Sequence, residues 1–260
     1  MALIDYRVQE GIATIELNNP PANAYTLDTL KQLDEAIVKA RFDDSVHVMV
    51  VRGAGEKFFS AGADINMLSA GSPEFRNQFA LFGHETLSRF ENTPKLVIAA
   101  INGHCVGGGL EIAMACDIRI AKKNAGRMGL AEVNLGVIPG MGGTQRLPRL
   151  VGKARAIDLA ATGRMFAFEE ALDFGLINEI FDSEDFLGQI MAYTRQFVAP
   201  NKPSKAVGLI KRAIQTGIQG SQSEGLSFER ELLAQAFASS DAAEGLSAYQ
   251  EKRVAKFQGK

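Results

Sequence analysis

The sequence predicts an α/β fold in which parallel strands are joined by crossover helices. Short β-branched, apolar runs alternate with longer segments of helical spacing up to about residue 200. Glycine and proline separate these runs at regular points. No low-complexity linker divides the chain, and beyond about residue 183 the pattern is almost wholly helical.

The elements follow in order. Residues 3–9 and 12–17 are predicted as two strands meeting at Gly11, the second with Ala13, Ile15 and Leu17 on its more apolar face. Asn18-Asn19-Pro20-Pro21 ends it, because proline donates no ladder hydrogen bond. Leu27, Leu30, Leu33 and Ile37 then recur at helical spacing, with Thr26 as the N-cap. The run 46–51 reads as a buried strand closed by Gly53, and a helix is predicted from about Pro73 to Glu91. Residues 96–101 form another buried strand. Gly107-Gly108-Gly109 opens a helix ending near Asp117, and 118–120 is a further short strand. In the helical tail, Ser221 with Glu224 fits a capping box, and Asp241 with Glu244 an acidic version of it.

Composition narrows the function. A chain of 260 residues, 46% hydrophobic, buries a full core. With 28 basic and 30 acidic residues the net charge is -2, so no polyanion-binding surface is indicated and nucleic acid is not an expected partner. Cys105 and Cys116 form no CxxC motif and read as free thiols. His47, His84 and His104 show no metal-ligand spacing, so no metal is expected. Charge enters early at Asp5 and Arg7, and no apolar run reaches signal-peptide or membrane-spanning length. The expectation is a soluble cytoplasmic protein.

The chemistry concentrates in two glycine-rich stretches. Asn102 to Glu111 follows a buried strand and enters a helix. First-turn amides have no intrahelical acceptor, and with the macrodipole they favour negative charge. Glycines there clear the way for a ligand, giving an oxyanion site. The same glycines would serve a sharp turn or close packing, and the residues alone leave both open. Neither this stretch nor Gly140 to Gln145 matches the dinucleotide fingerprint, and no phosphate loop or nucleophile elbow occurs. Two carboxylates stand nearby in sequence. Glu111 sits in the first turn of its helix, where it would also complement the dipole; Glu132 is flanked by hydrophobic residues, or else is an exposed loop charge. Converging on one pocket, they would make an acid–base pair.

At these residues the chain resembles the crotonase (enoyl-CoA hydratase/isomerase) family. Phe58-Phe59-Ser60-Ala61-Gly62-Ala63-Asp64-Ile65 is similar to its first signature, Asn102 through Glu111 to Asp117 to its second, and Glu132 through Gly136 to Pro139–Leu147 to its third. Gly245 to Arg253 is also family-like. The resemblance covers the whole chain. It implies a superhelix of repeated ββα units over 1–200 and a helical region over 201–260 that mediates trimer formation and covers the active site. It further implies a homotrimer or a dimer of trimers. The amides of Ala63 and Gly108 would form the oxyanion hole, with Asp64 shaping and capping its loop. Ala61, Gly62, Asp64, Ile65, Asn66, Gly107 and Gly109 would line the substrate and CoA site. Glu111 and Glu132 would be catalytic, and retention of both favours hydration of a trans-2-enoyl-CoA over a Δ3-Δ2-enoyl-CoA isomerase. A non-catalytic RNA- or partner-binding protein on this fold is the alternative of a different class. No cofactor is implied beyond the CoA of the substrate. Ala131 stands where many family hydratases have proline, and Asn66 where lysine is common. The glycines 140, 142 and 143 are expected to shape the turn behind Glu132. The segment 65–73 should lie beside the acyl chain, with 69–72 mobile and Phe75, Phe79 and Phe82 lining the core or the acyl pocket.

Overall fold

The computed structural model describes residues 2–260. Six strands form the larger sheet, in the order β1 (Ile4–Gln9), β2 (Ile12–Leu17), β3 (Val48–Gly53), β5 (Leu96–Ile101), β7 (Ile118–Lys122) and β10 (Glu179–Phe181). Only β1 and β2 are antiparallel. A second sheet is built from much shorter strands, β4 (Phe58–Ser60), β6 (His104–Val106), β8 (Arg127–Gly129) and β9 (Phe166–Ala167). Each turn of the chain thus runs along the large sheet, crosses to the small one and returns through a helix. This is the repeated ββα winding that the resemblance implies.

The helices are α1 (Leu27–Phe42), α2 (Ile65–Ala70), α3 (Pro73–Asn92), α4 (Gly108–Ala115), α5 (Gly143–Val151), α6 (Lys153–Thr162), α7 (Phe168–Asp173), α8 (Phe186–Arg195), α9 (Ser204–Gly217), α10 (Gln222–Phe237) and α11 (Ser240–Gln250). Their starts obey local chemistry. Thr26 caps α1 through a box with Thr29, Ser72 caps α3 with Pro73 in its first turn, and Ser221 with Glu224 boxes α10. The main core lies between α1, α3, α4 and the sheets; a second cluster, including Ile12, Val48 and Ile98, is closed by Phe186 and Ile190 of α8.

Three expectations change. The three-residue strands β4, β6 and β8 sit in segments where the sequence predicted no strand, since such short runs show no periodicity. Gly53 extends β3 rather than closing it: β2 pairs Leu17 with Gly53, and a Cβ there would meet Phe58 O at 2.3 Å. Asp241 does not cap α11, which begins on Ser239. Instead its buried carboxylate accepts the Gln258, Gly259 and Lys260 amides and fastens the C-terminus. The ladder of tail amides outcompetes the local cap. The tail is joined to the core by Lys211 of α9, whose buried ammonium meets Asp117 at 2.8 Å and donates to Phe90 O. Among the described residues no helix is long and apolar enough to cross a membrane.

Candidate active site

The site is assembled from three separate crossings of the chain. The first supplies an amide. Tyr25 and Ala63 form a parallel bridge in which Tyr25 N donates to Gly62 O and Asp64 N donates to Tyr25 O. Residues alternate their hydrogen-bonding sides along a strand, so the intervening Ala63 N–H faces the opposite way, into the site. Asp64 performs the cap expected of it: its carboxylate accepts Met67 N at 2.7 Å and starts α2. Ile65 and Asn66 lie exposed on the outer side of α2, and Ala61 is held by Ala22 O.

The second crossing supplies the other amide. Gly107 takes φ 53° and ψ −126° as α4 begins, a conformation that favours glycine, and Gly108 is the first helical residue, with an amide lacking an intrahelical partner. The two loops touch: a Cβ on Gly62, itself at φ +92°, would lie 3.1 Å from Gly108 N. Gly109 serves packing, because a Cβ there would strike Ser60 O at 2.4 Å.

The carboxylates come next. Glu111, one turn into α4, is 1% exposed. Its Oε1 accepts Met141 N at 2.8 Å and Gly143 N at 2.7 Å. Gly142 turns at φ +99° to aim those amides. The glycine turn 140–143 therefore stands behind Glu111, not behind Glu132 as its position in sequence suggested. Arg146 holds the same loop, donating to Met141 O while gripping Glu91 through Nε at 2.8 Å and Nη2 at 2.7 Å. Burial pushes the Glu111 carboxyl up from its ordinary value, while the Gly143 and Met141 amides and then Arg146 pull it back.

Glu132 opens a 3₁₀ turn, Glu132–Leu135, that ends on left-handed Gly136. Its Oε1 lies 2.8 Å from where a Gly107 Cβ would be, so the carboxyl rests on the α4 entrance. Its Oε2 is buried with no hydrogen-bond partner. Burial first, and the Glu111 carboxylate second, push its pKa up to about 7. The four elements expected from sequence thus converge: two inward amides, one anchored carboxylate and one carboxyl poised to hold a proton.

Two contributors escaped the sequence reading. Arg146 acts through the Met141 loop from within the third signature, with no local signal of that role. Tyr25, 4% exposed, directs its hydroxyl at Gly108 from a segment 38 residues before Ala63 in the numbering. The remaining polar groups are structural. His104 Nδ1 accepts Arg127 N at 3.1 Å, and Cys105 and Cys116 are buried free thiols, the latter pushed up to about 12 chiefly by burial. Segment 69–72 is tied down: Ser72 caps α3, and Arg76 donates to Leu68 O and Ser69 O.

Comparison with known proteins shows what the whole chain is similar to. Residues 7–260 match the family model described as enoyl-CoA hydratase/isomerase. A short-chain-enoyl-CoA hydratase of Clostridium acetobutylicum is 41% identical over 94% of each chain. A crotonyl-CoA hydratase of Syntrophomonas wolfei is 38% identical over 96% of this chain and 95% of its own. Among solved structures, an enoyl-CoA hydratase of Geobacillus kaustophilus superposes with a TM-score of 0.97 at 42% identity, covering 100% of this chain and 98% of that one.

Proposed function

The chain belongs to the enoyl-CoA hydratase/isomerase family, the crotonase superfamily, and from that premise we propose that it hydrates a trans-2-enoyl-CoA to the 3-hydroxyacyl-CoA in acyl-CoA degradation. The observation that carries this reading is the unequal carboxylate pair beside two inward amides. Hydration needs a base and an acid at once, and here one carboxylate is anchored by amides while the other titrates at about 7.

The thioester oxygen lies between Ala63 N and Gly108 N. Water sits between the carboxylates, and Glu111 takes a proton from it through Oε2, since both amides occupy Oε1. The oxygen of that water bonds to Cβ as the Cα–Cβ π pair moves toward the carbonyl. Charge grows on the thioester oxygen, so its hydrogen bonds strengthen toward the transition state. Glu132 then gives its proton to Cα, and the proton held by Glu111 returns the pair to its starting state through solvent. CoA arrives with the substrate, and each step uses protein groups and water alone. A Δ3-Δ2 isomerase would move a proton between carbons with one carboxylate; the second carboxyl, buried with a free oxygen, favours hydration. Loss of the enoyl absorbance of crotonyl-CoA on mixing with pure protein tests this, and an unchanged spectrum at micromolar enzyme overturns it.

The acyl chain is short to medium. Met67, Leu68 and Phe75 pack against the core near Ala63, and each methylene admitted is worth about 0.8 kcal/mol. A kcat/KM that climbs steadily from four to sixteen carbons contradicts this. The assembly is a trimer or a dimer of trimers in the cytoplasm. Ile210 and Ile214 line one exposed face of α9 with exposed Ile218 at its C-cap, and Leu226, Leu233 and Phe237 stand exposed on α10. Light scattering that returns the 28.0 kDa of one chain refutes self-association.

A further inference from the structure

Tyr25 has no part in the reaction as derived, yet its side chain ends inside the site. Its backbone is the bridge partner of Ala63, so the ring is rooted beside the strand that carries one oxyanion amide. The ring stacks on Phe79, with centroids 6.0 Å apart and planes at 24°, and Phe79 stacks on Phe75. This stack limits rotation of the phenol and aims it at Gly108. A Cβ on residue 108 would fall 1.7 Å from the Tyr25 hydroxyl oxygen. A Cβ lies about 2.5 Å from its own amide nitrogen, which puts the hydroxyl within about 4 Å of Gly108 N. Glycine at 108 is therefore required by the phenol as well as by the ligand.

The hydroxyl takes no hydrogen bond from the protein among the described residues. Burial, then Glu111, then Glu132, hold the phenol well above its ordinary value. It stays neutral wherever the carboxylates work, and a neutral phenol donates a hydrogen bond.

We infer that the Tyr25 hydroxyl is a third hydrogen-bond donor at the thioester oxygen, acting beside the amides of Ala63 and Gly108. The inference rests on the thioester reading above. Its contribution grows with the charge on that oxygen, so it belongs to the enolate-like state rather than to the ground state. An aromatic ring without the hydroxyl would fill the same volume and stack equally on Phe79, so the polar atom alone carries the effect.

Tyr25→Phe isolates that atom. Wild type and variant are titrated with acetoacetyl-CoA, a β-dicarbonyl thioester that binds such a site as its enolate with a near-ultraviolet absorbance, and with saturated butyryl-CoA, which cannot be hydrated. Losing one donor of an oxyanion site typically costs about 10²–10³ in kcat; with two amides remaining, enolate affinity and kcat on crotonyl-CoA should each fall at least about tenfold. Butyryl-CoA affinity and KM should change less than about threefold. Unchanged enolate affinity overturns the assignment whatever happens to kcat, and so does an equal loss for both ligands, which is a packing defect. Should Tyr25→Phe melt early, 3-fluorotyrosine at position 25 replaces it: a more acidic donor of nearly the same shape should strengthen enolate binding, and no strengthening overturns the assignment. Wild-type protein that binds the enolate but leaves crotonyl-CoA untouched would sink the hydration reading alone. Wild-type protein that binds no enolate would sink this inference with the thioester site.

Discussion

Glu111 and Glu132 lie close enough for the charge of the first to raise the pKa of the second, but the chain builds them in opposite ways. Glu111 rides on α4, every residue of which is buried, and two backbone amides fix one of its oxygens. Glu132 rides on a four-residue 3₁₀ turn with no buried residue, followed by exposed Val137 and Ile138. In Glu111 the two amides and Arg146 offset part of the upward push of burial and hold the carboxyl in place. A carboxyl on a thin turn, buried at its tip and facing another carboxylate, holds its proton until a basic partner arrives. On the reading proposed above, this difference in support is what separates base from acid in a pair of identical side chains.

The strongest attack on this comparison removes each charge in turn. Glu111→Gln and Glu132→Gln should each lower kcat on crotonyl-CoA by about 10²–10⁴, with KM within a few-fold, because both act on protons in flight. Near-wild-type kcat in either variant removes that residue from the mechanism. The pH profile should also be lopsided: kcat should decline as pH rises through about 7, where Glu132 gives up its proton.

The same titration acts on stability, with a definite sign. Glu132 is raised in the folded protein from 4.5 to about 7, so the fold disfavours its ionised form. At pH below 4 both folded and unfolded chains are protonated and nothing is lost. As pH rises through the window between the two values, the wild type loses stability relative to a neutral side chain, and the loss is complete above about 7. Glu132→Gln should therefore melt higher than wild type at pH 8, by up to about 3 kcal/mol, and equally at pH 4. Melting curves that differ equally at both pH values would show that the carboxyl is not what strains the turn.

Arg146→Gln sharpens the contrast by disturbing one carboxylate only. It frees the loop that supplies the Met141 and Gly143 amides and leaves Glu91 unpaired. A loss of about 2 kcal/mol is expected, about 4–8 °C in Tm, with kcat down about tenfold while the alkaline limb near 7 keeps its place. A shift of that limb would mean that Arg146 governs Glu132 as well. The smallest effect belongs to the exposed turn. Ile138, 75% exposed, changed to Ser should leave folding stability within about 0.5 kcal/mol. A larger loss would mean that the loop carrying Glu132 is buried in an assembly.

Much of this was legible in the residues, and the boundary is physical. Hydrophobic periodicity, caps and glycine positions are local, so the sequence by itself determined the long strands, α1, α3, α4, the Thr26 and Ser221 caps and the resemblance that pointed to Ala63, Gly108, Glu111 and Glu132. Three-residue strands carry no period, and β4, β6 and β8 became visible only as a sheet whose partners lie far apart in sequence. Contacts across that distance belonged wholly to the tertiary structure. It turned the 140–143 loop toward Glu111, drew Asp241 away from its own helix to the C-terminus, and set the Tyr25 phenol against Gly108. Protonation was decided there too, because a pKa depends on burial and on neighbouring charge, and both exist only once the chain has folded.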